Sequence, residues 1–275
     1  MFFTQSIHPA RFTGRPFRGL RGRRGFGLLL AGLVFILASS PVAAFDFTDW
    51  DGMLKRYVSE RTLDGVRLSA VDYRKVKADP AFSHLVERLK SADVAQLKSR
   101  EDKLAFWINV YNILAVKMIL DNYPLQSIKD AGSLFSPVWD KPAGEVAGVG
   151  RTLAEVEHGI LRKMGEPRIH VAIVCASVSC PDLAREAYLP EKLGDQLDRQ
   201  MRAFLREPGK GMRLDAAGRR VFLSSIFKWF EDDFEAKGGV LPFLRPYVSP
   251  EERKLLNDPE IRVSYLDYNW NVNER

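Results

Sequence analysis

The 275-residue sequence has only two cysteines, Cys175 and Cys180, and only four histidines. It has no C-x-x-C pair, and the C-x₄-C spacing that is present is a weak zinc signal. A phosphate-binding loop, a glycine-rich dinucleotide turn and a Gly-x-Ser-x-Gly elbow are also missing. The sequence therefore predicts no cofactor and no metal site, so any chemistry would depend on ordinary side chains.

Acidic residues are missing before Asp46, whereas six arginines precede an apolar run over residues 27–38. The run is about a dozen residues long, fewer than the roughly 20 that a spanning helix needs, and small residues up to Ala44 follow it. This pattern predicts a cleavable signal peptide, residues 1–44, and a periplasmic or secreted protein without stable membrane insertion after cleavage. A retained membrane anchor is the alternative interpretation of this segment. The pair Arg23-Arg24 resembles the twin-arginine export signal, so the Sec and twin-arginine export routes stay equally open.

The basic charge of the whole chain comes from this N-terminal segment. Taking its six arginines from 41 basic residues leaves 35, against 35 acidic residues. The mature chain would be close to neutral, so we expect no nucleic-acid partner. Residues 45–275 have an ordinary globular composition and no repeat or linker, which predicts one globular domain.

The most distinctive segment is residues 104–116, which is apolar on nearly every side and follows a Ser99-x-x-Asp102 capping pattern. Such a helix is buried in a core or spans a membrane, and its flanking charges and two amides favour the core. Buried amides need hydrogen-bond partners. Asn109 and Asn112 would therefore either tie loops to this helix or line a site.

A second capping pattern, Thr152-x-x-Glu155, predicts a helix that carries Glu157 within its apolar stripe and His158 at the edge of that stripe. Burial of a carboxylate is unfavourable unless the group is paired. Glu157 would therefore either form an ion pair with an arginine or hold a site together.

Residues 168–175 are apolar on both faces and predict a central strand that contains His170. Pro181 suits the first position of a following helix, which would place Cys180 at the N-cap. Further on we expect a hairpin over residues 212–223, a terminal strand over residues 261–268, and an aromatic helix. Helices outnumber strands and do not alternate with them regularly, which predicts a mainly helical α+β domain with a small central sheet.

The aromatic helix carries Trp229, Phe230 and Phe234. Large apolar side chains at helical spacing are more often packed in a core than arranged around a ligand. We therefore expect this cluster to belong to the core.

Several motifs together resemble the domain of unknown function 547 family. They are Gly65 with Val71-Asp72-Tyr73, Leu104 to Asn112, Leu153 with Glu157-His158, His170 to Pro181, and Tyr268-Asn269-Trp270-Asn271. The resemblance covers nearly all of residues 45–275 and implies an exported bacterial member, but it implies no activity. It directs attention to Asn109, Glu157, His158, His170 and Cys180.

A thiol at a helix N-terminus faces unpaired N–H groups and the positive end of the helix dipole, and both lower its pKa. The sequence therefore predicts Cys180 as the nucleophile of a thiol-dependent hydrolase or acyl/peptidyl transferase that acts on a peptide or small molecule. An extended strand would place His170 about 16 Å from Cys175. We therefore expect His158 as the general base and Asn109 as the residue that orients it.

The rival hypothesis is a non-catalytic binding or scaffolding domain with a structural Cys175–Cys180 pair. An exported protein meets an oxidising environment, where two cysteines favour a disulfide. Such a bridge would close a short loop and abolish nucleophilicity. A metal or redox role for the pair is the third alternative.

Overall fold

The computed structural model describes residues 45–133 and 136–275. The predicted signal peptide, residues 1–44, lies outside these ranges, so its cleavage and export route stay predictions. All the described residues fall within one compact unit of the chain.

Helices dominate the described residues, which confirms a mainly helical α+β domain. The α-helices are α1 Thr48–Tyr57, α2 Tyr73–Ala78, α3 Pro80–Leu89, α4 Arg100–Asp121, α5 Leu193–Leu205, α6 Ile226–Trp229, α7 Asp232–Glu235, α8 Val240–Leu244 and α9 Pro250–Leu256. The strands are β1 Val58–Leu63, β2 Val66–Val71, β3 Pro142–Val146, β4 Val149–Thr152, β5 Met212–Asp215, β6 Arg220–Leu223 and β7 Arg262–Tyr265. A π-helix covers Glu155–Leu161, and a 3₁₀ helix covers Pro167–Val171.

The described strands form three small separate sheets rather than one central sheet. Strands β1 and β2 pair antiparallel, as do β3 and β4. The third sheet has the order β5-β6-β7, in which β5 is antiparallel and β7 parallel to β6. The predicted hairpin over residues 212–223 is confirmed, and the predicted terminal strand is present but shorter than expected.

Helix α4 lies at the centre of the larger hydrophobic core. Ser99 caps its N-terminus, and Asp102 completes the reciprocal capping box that the sequence predicted. Sixteen of its residues are buried. By length and composition α4 could cross a membrane, but 89% of its apolar window is buried inside the protein. The prediction of a core helix is confirmed.

The two amides of α4 each hold a loop. Asn109 donates to the carbonyl of Tyr188 over 2.8 Å and accepts from the N–H of the same residue over 3.0 Å. Asn112 donates to the carbonyl of Ala172 over 2.9 Å and accepts from the N–H of Val174 over 3.0 Å. Each side chain thus satisfies backbone groups that would otherwise be buried without a partner.

The predicted strand over residues 168–175 is wrong. The 3₁₀ helix Pro167–Val171 occupies its first half. The chain then turns, because the N–H of Ile173 donates to the carbonyl of Ile169 over 2.9 Å. The side chain of Asn112 pairs with the carbonyl of Ala172 and the N–H of Val174, which a neighbouring strand would otherwise have paired. The apolar run of residues alone therefore did not decide the local structure.

The predicted helix that follows Cys180 is also wrong, because residues 181–189 are irregular. Asp182 accepts hydrogen bonds from the N–H of Ser69 over 2.7 Å and from the ammonium of Lys210 over 2.6 Å. The Lys210 side chain is fully buried, and a buried charge needs such a partner. These tertiary contacts of Asp182 outweigh the local preference for a helix. No helix begins directly after Cys180, so Cys180 is not an N-cap residue.

Candidate active site

A cavity of about 460 Å³ brings most of the predicted site residues together. Its walls include Cys175, Cys180, His158, His170 and Glu157. A larger cavity of about 870 Å³ lies beside α1, but its walls in the described part of the chain contain neither a thiol nor an imidazole. The smaller cavity is therefore the candidate active site.

The predicted orienting residue Asn109 does not belong to this group. It is fully buried, and its amide is engaged on both sides by the backbone of Tyr188. The ring nitrogen Nδ1 of His158 instead lies 3.4 Å from the guanidinium of Arg162. Asn109 therefore ties a loop to α4, and the structure assigns it no contact with the predicted base.

The two cysteines lie at the ends of a tight loop. Ala176 adopts a φ of +58°, in the left-handed region that side chains with a Cβ rarely occupy. The C-terminal segment holds the loop in place, because Ser177 forms a β-bridge with Val272. Strained backbone of this kind clusters at functional sites, so the turn supports a role for the loop in the site.

Both cysteines are free thiols, and their surroundings differ. The sulfur of Cys175 lies 3.3 Å from the hydroxyl of Ser177 and 3.3 Å from that of Tyr268. The sulfur of Cys180 accepts a hydrogen bond from the Cys175 N–H over 2.8 Å. Two side-chain hydroxyls therefore lie within hydrogen-bond distance of the Cys175 sulfur, whereas a backbone N–H donates to that of Cys180.

The hydrogen bond from the Cys180 thiol, supported by the hydroxyls of Ser177 and Tyr268, lowers the pKa of Cys175 to about 7. Burial raises the pKa of Cys180 well above its usual value, and a negative Cys175 raises it further. The thiolate is the reactive form, and Cys175 is the less buried of the two thiols. Cys175 is therefore the candidate nucleophile that this arrangement favours, whereas the sequence pattern favoured Cys180.

Glu157 projects from the π-helix into the cavity wall. Its partner is the hydroxyl of Tyr111, 3.1 Å from Oε2, rather than the arginine that the ion-pair interpretation required. Burial, with the nearby charge of Cys175, raises the pKa of Glu157 to about 7. A carboxyl group that exchanges a proton near neutral pH is available for acid–base chemistry.

His170 lines the same cavity as Cys175, although an extended strand would have kept the two residues apart. Its Nε2 lies 2.6 Å from Oδ2 of Asp233, and its ring stacks on Phe230 with centroids 4.0 Å apart. Burial lowers the pKa of His170, although the charge of Asp233 opposes this shift. A neutral imidazole with one nitrogen held by a carboxylate is the arrangement of a positioned general base.

Asp233 itself is held by Arg162, which donates to both carboxylate oxygens, over 2.7 and 2.8 Å. Burial alone would raise the pKa of Asp233, but the hydrogen bonds from His170 and Arg162 hold it far below its usual range. Asp233 is therefore charged at neutral pH. Partial burial and the neighbouring Arg162 charge lower the pKa of His158, which lines the cavity.

Sequence reasoning missed several residues of this site, and two aromatic side chains expected in the core, Trp229 and Phe230, line the cavity. Phe234 is buried in the core, as expected, but Trp229 is 47% exposed and lines the cavity. Tyr268 and Trp270 also line it. Both belong to the C-terminal motif, which was the available signal, whereas nothing in the local sequence marked Asp233.

No group of three or more His, Cys, Asp or Glu side chains in residues 45–133 and 136–275 is arranged to hold a metal ion. The cavity wall contains two thiols, two imidazoles and one carboxyl group.

A family model described as a protein of unknown function, DUF547, matches residues 94–205. This range contains α4, the π-helix, His170 and both cysteines. No curated protein and no solved structure matches the chain. The resemblance predicted from the motifs is confirmed over residues 94–205, the part of the chain that the domain of unknown function 547 family model matches.

Proposed function

We propose that this protein is a thiol-dependent hydrolase or acyl/peptidyl transferase, with Cys175 as the nucleophile and the His170–Asp233 pair as its acid–base group. The observation that carries the proposal is the arrangement of one cavity. Its wall contains Cys175, whose sulfur lies 3.3 Å from the hydroxyl of Tyr268, and His170, whose Nε2 is fixed by Asp233. Nucleophile, base and orienting carboxylate are the parts that covalent acyl transfer requires.

The reaction proceeds in two steps. The Cys175 thiol gives its proton to His170 as its sulfur attacks the acyl carbonyl; the carbon–sulfur bond forms, the bond from carbon to the leaving group breaks, and the imidazolium gives the proton to the leaving group. Water or an acceptor amine then attacks the thioester and gives a proton to His170, the carbon–sulfur bond breaks, and the imidazolium returns the proton to the Cys175 sulfur. Because Nε2 is held by Asp233, this proton exchange uses Nδ1.

Glu157 supports the thiolate through its own protonation state. A charged carboxylate close to Cys175 disfavours a second negative charge, and a protonated one does not. The two groups are therefore coupled, and the pair titrates as a unit. Glu157 is a positioning residue in this mechanism, with the hydroxyl of Tyr111 as its partner.

The proposal includes an extracytoplasmic location and a peptide or small-molecule substrate. It is supported by the signal-like pattern of residues 1–44 and by the size of the cavity, about 460 Å³, which lies within the usual range of small-ligand sites.

A binding or scaffolding domain is the second candidate. It is favoured by Asn109 and Asn112, whose amides serve only to tie loops to α4. Under this alternative the thiols of Cys175 and Cys180 hold their loop together, and substitution of Cys175 would lower stability without removing any chemistry.

Alkylation by iodoacetamide tests the nucleophile. We expect Cys175 to be labelled with an apparent pKa near 7, and Cys180 to be protected. Peptide mass spectrometry locates the label, and Cys175→Ser and Cys180→Ser provide matched controls. A Cys175 that reacts no faster than glutathione at pH 7, or that is isolated in a disulfide with Cys180, would overturn the assignment.

Acyl transfer is tested with p-nitrophenyl acetate. The native protein should show a burst of p-nitrophenolate and an acetyl group on Cys175, and Cys175→Ser should show neither. If Cys175 alkylates rapidly but never acylates, the binding interpretation is favoured over the enzyme.

A further inference from the structure

The cavity has an aromatic wall that the proposed chemistry does not use. Trp229 and Trp270 lie nearly parallel, with centroids 5.8 Å apart and planes 19° apart. Trp139 meets Trp270 edge-on at 5.8 Å. Aromatic pairs prefer such separations, and a wall of this kind offers flat apolar area to a ligand.

Lys129 lies over this wall, with Nζ 3.6 Å from the centre of the Trp270 ring. This cation–π contact holds the ammonium group but leaves its N–H donors available for an anion. The protein's own cation already occupies this face of Trp270. The arrangement therefore suits a ligand with a negative charge rather than a positive one.

Lys129 is the only side chain of the described cavity wall that carries a permanent charge. Lys129 is the only lysine or arginine among its described lining residues, and Glu157 is the only aspartate or glutamate. The pKa of Glu157 is raised to about 7, so this carboxyl is partly protonated at neutral pH. Lys129 therefore supplies the one permanent positive charge of the described cavity wall.

The aromatic wall reaches the nucleophile through direct contacts. The ring of Trp270 lies 4.4 Å from that of Tyr268. The hydroxyl of Tyr268 lies 3.3 Å from the sulfur of Cys175. A ligand seated on the wall is thus beside the reacting atom.

The geometry points to a substrate class: an acyl compound that carries an anionic group, bound by Lys129, and a flat apolar group, bound by the Trp229–Trp270 wall. This inference rests on the proposed function, because it places the carbonyl of that compound at Cys175. Lys129 and Trp229 are then binding residues that select the substrate.

Two alkylating reagents of nearly equal size test the charge selection. Iodoacetate is anionic and iodoacetamide is neutral. The rate of Cys175 alkylation by iodoacetate is divided by the rate with iodoacetamide, and this ratio is divided by the same ratio for glutathione. The result reports the electrostatic potential at Cys175. We expect Lys129→Gln to lower this ratio about two- to four-fold, the effect of one charge across a solvated cavity. Lys129→Arg should preserve the ratio.

Protection by small acids tests the apolar part. Benzoate should slow the alkylation of Cys175 at concentrations where acetate does not, and Trp229→Ala should remove the difference. Trp229 is exposed, so this substitution spares the core.

Different results would overturn the proposed nucleophile and the proposed substrate class. A Cys175 that reacts with neither reagent overturns the proposed function. A Cys175 that reacts rapidly with iodoacetamide, at a ratio that Lys129→Gln leaves unchanged, overturns the anionic substrate and leaves the nucleophile in place. Equal protection by benzoate and acetate overturns the flat apolar group.

Discussion

Nε2 of His170 lies 2.6 Å from Oδ2 of Asp233, although 63 residues separate them in the chain. The contact selects one tautomer of the imidazole and fixes its ring, which also stacks on Phe230. It joins the 3₁₀ helix Pro167–Val171 to the short helix α7. The site thus depends on a contact between two distant segments.

Replacement of Asp233 should change the titration of His170. Its charge and hydrogen bond raise a pKa that burial lowers, so Asp233→Asn should shift the His170 pKa downward. NMR titration of the imidazole resonances measures the shift. The adjacent Asp232→Asn is the matched control and should leave the His170 pKa unchanged, whereas an equal response in both variants would contradict the specific pairing.

Loss of the Tyr268 hydroxyl should weaken the Cys175 thiolate. That hydroxyl is one of the donors that lower the Cys175 pKa. Tyr268→Phe should therefore raise this pKa and slow alkylation at pH 7. Tyr265→Phe removes a hydroxyl from strand β7 and serves as the control. An unchanged pH profile in Tyr268→Phe would show that the hydroxyl does not support the thiolate.

The buried carboxyl of Glu157 should make stability depend on pH. Its pKa is raised to about 7 in the folded protein. The folded state therefore retains a proton that the unfolded state has lost, and its stabilising effect disappears as pH rises from about 4.5 through 7. Relative to Glu157→Gln, the native protein should lose up to about 3 kcal/mol across this range.

Thermal unfolding measured between pH 4 and 8 follows this difference. Glu60 is exposed, so Glu60→Gln is the control. The stability of this variant should change with pH in parallel with that of the native protein. Parallel curves for Glu157→Gln as well would show that Glu157 titrates as an ordinary carboxyl group.

Asn109 should prove to be a structural residue. Asn109→Ala removes two hydrogen bonds to the backbone of Tyr188 and leaves a buried N–H and carbonyl unpaired. We expect a loss of about 2–4 kcal/mol in the free energy of unfolding. The alkylation rate of Cys175 should stay the same under conditions where the variant is folded.

Denaturant unfolding supplies the first measurement, and iodoacetamide kinetics supplies the second. The exposed Asn257→Ala is the matched control for loss of an amide. A strong fall in Cys175 reactivity with unchanged stability would instead return Asn109 to the catalytic group.

Local patterns in the sequence were enough to predict α4 and the hairpin over residues 212–223. The capping box of Ser99 and Asp102 is formed by residues within one turn, so short-range chemistry determines it. Because α4 is apolar on nearly every side, it has to be buried in a protein core or in a membrane. The motifs likewise led to Glu157, His158, His170 and Cys180, all of which line the cavity.

Tertiary contacts decided the rest. Residues 168–175 read as a strand, but Asn112 supplies partners for their backbone from another helix. The balance between the two thiols depends on Tyr268, which lies 93 residues beyond Cys175. Hydrogen bonds act over about 3 Å, and only the folded chain brings such distant groups that close. The sequence by itself indicated Glu157, His158, His170 and Cys180 as candidates, and the tertiary structure added Asp233 and decided which of these residues meet.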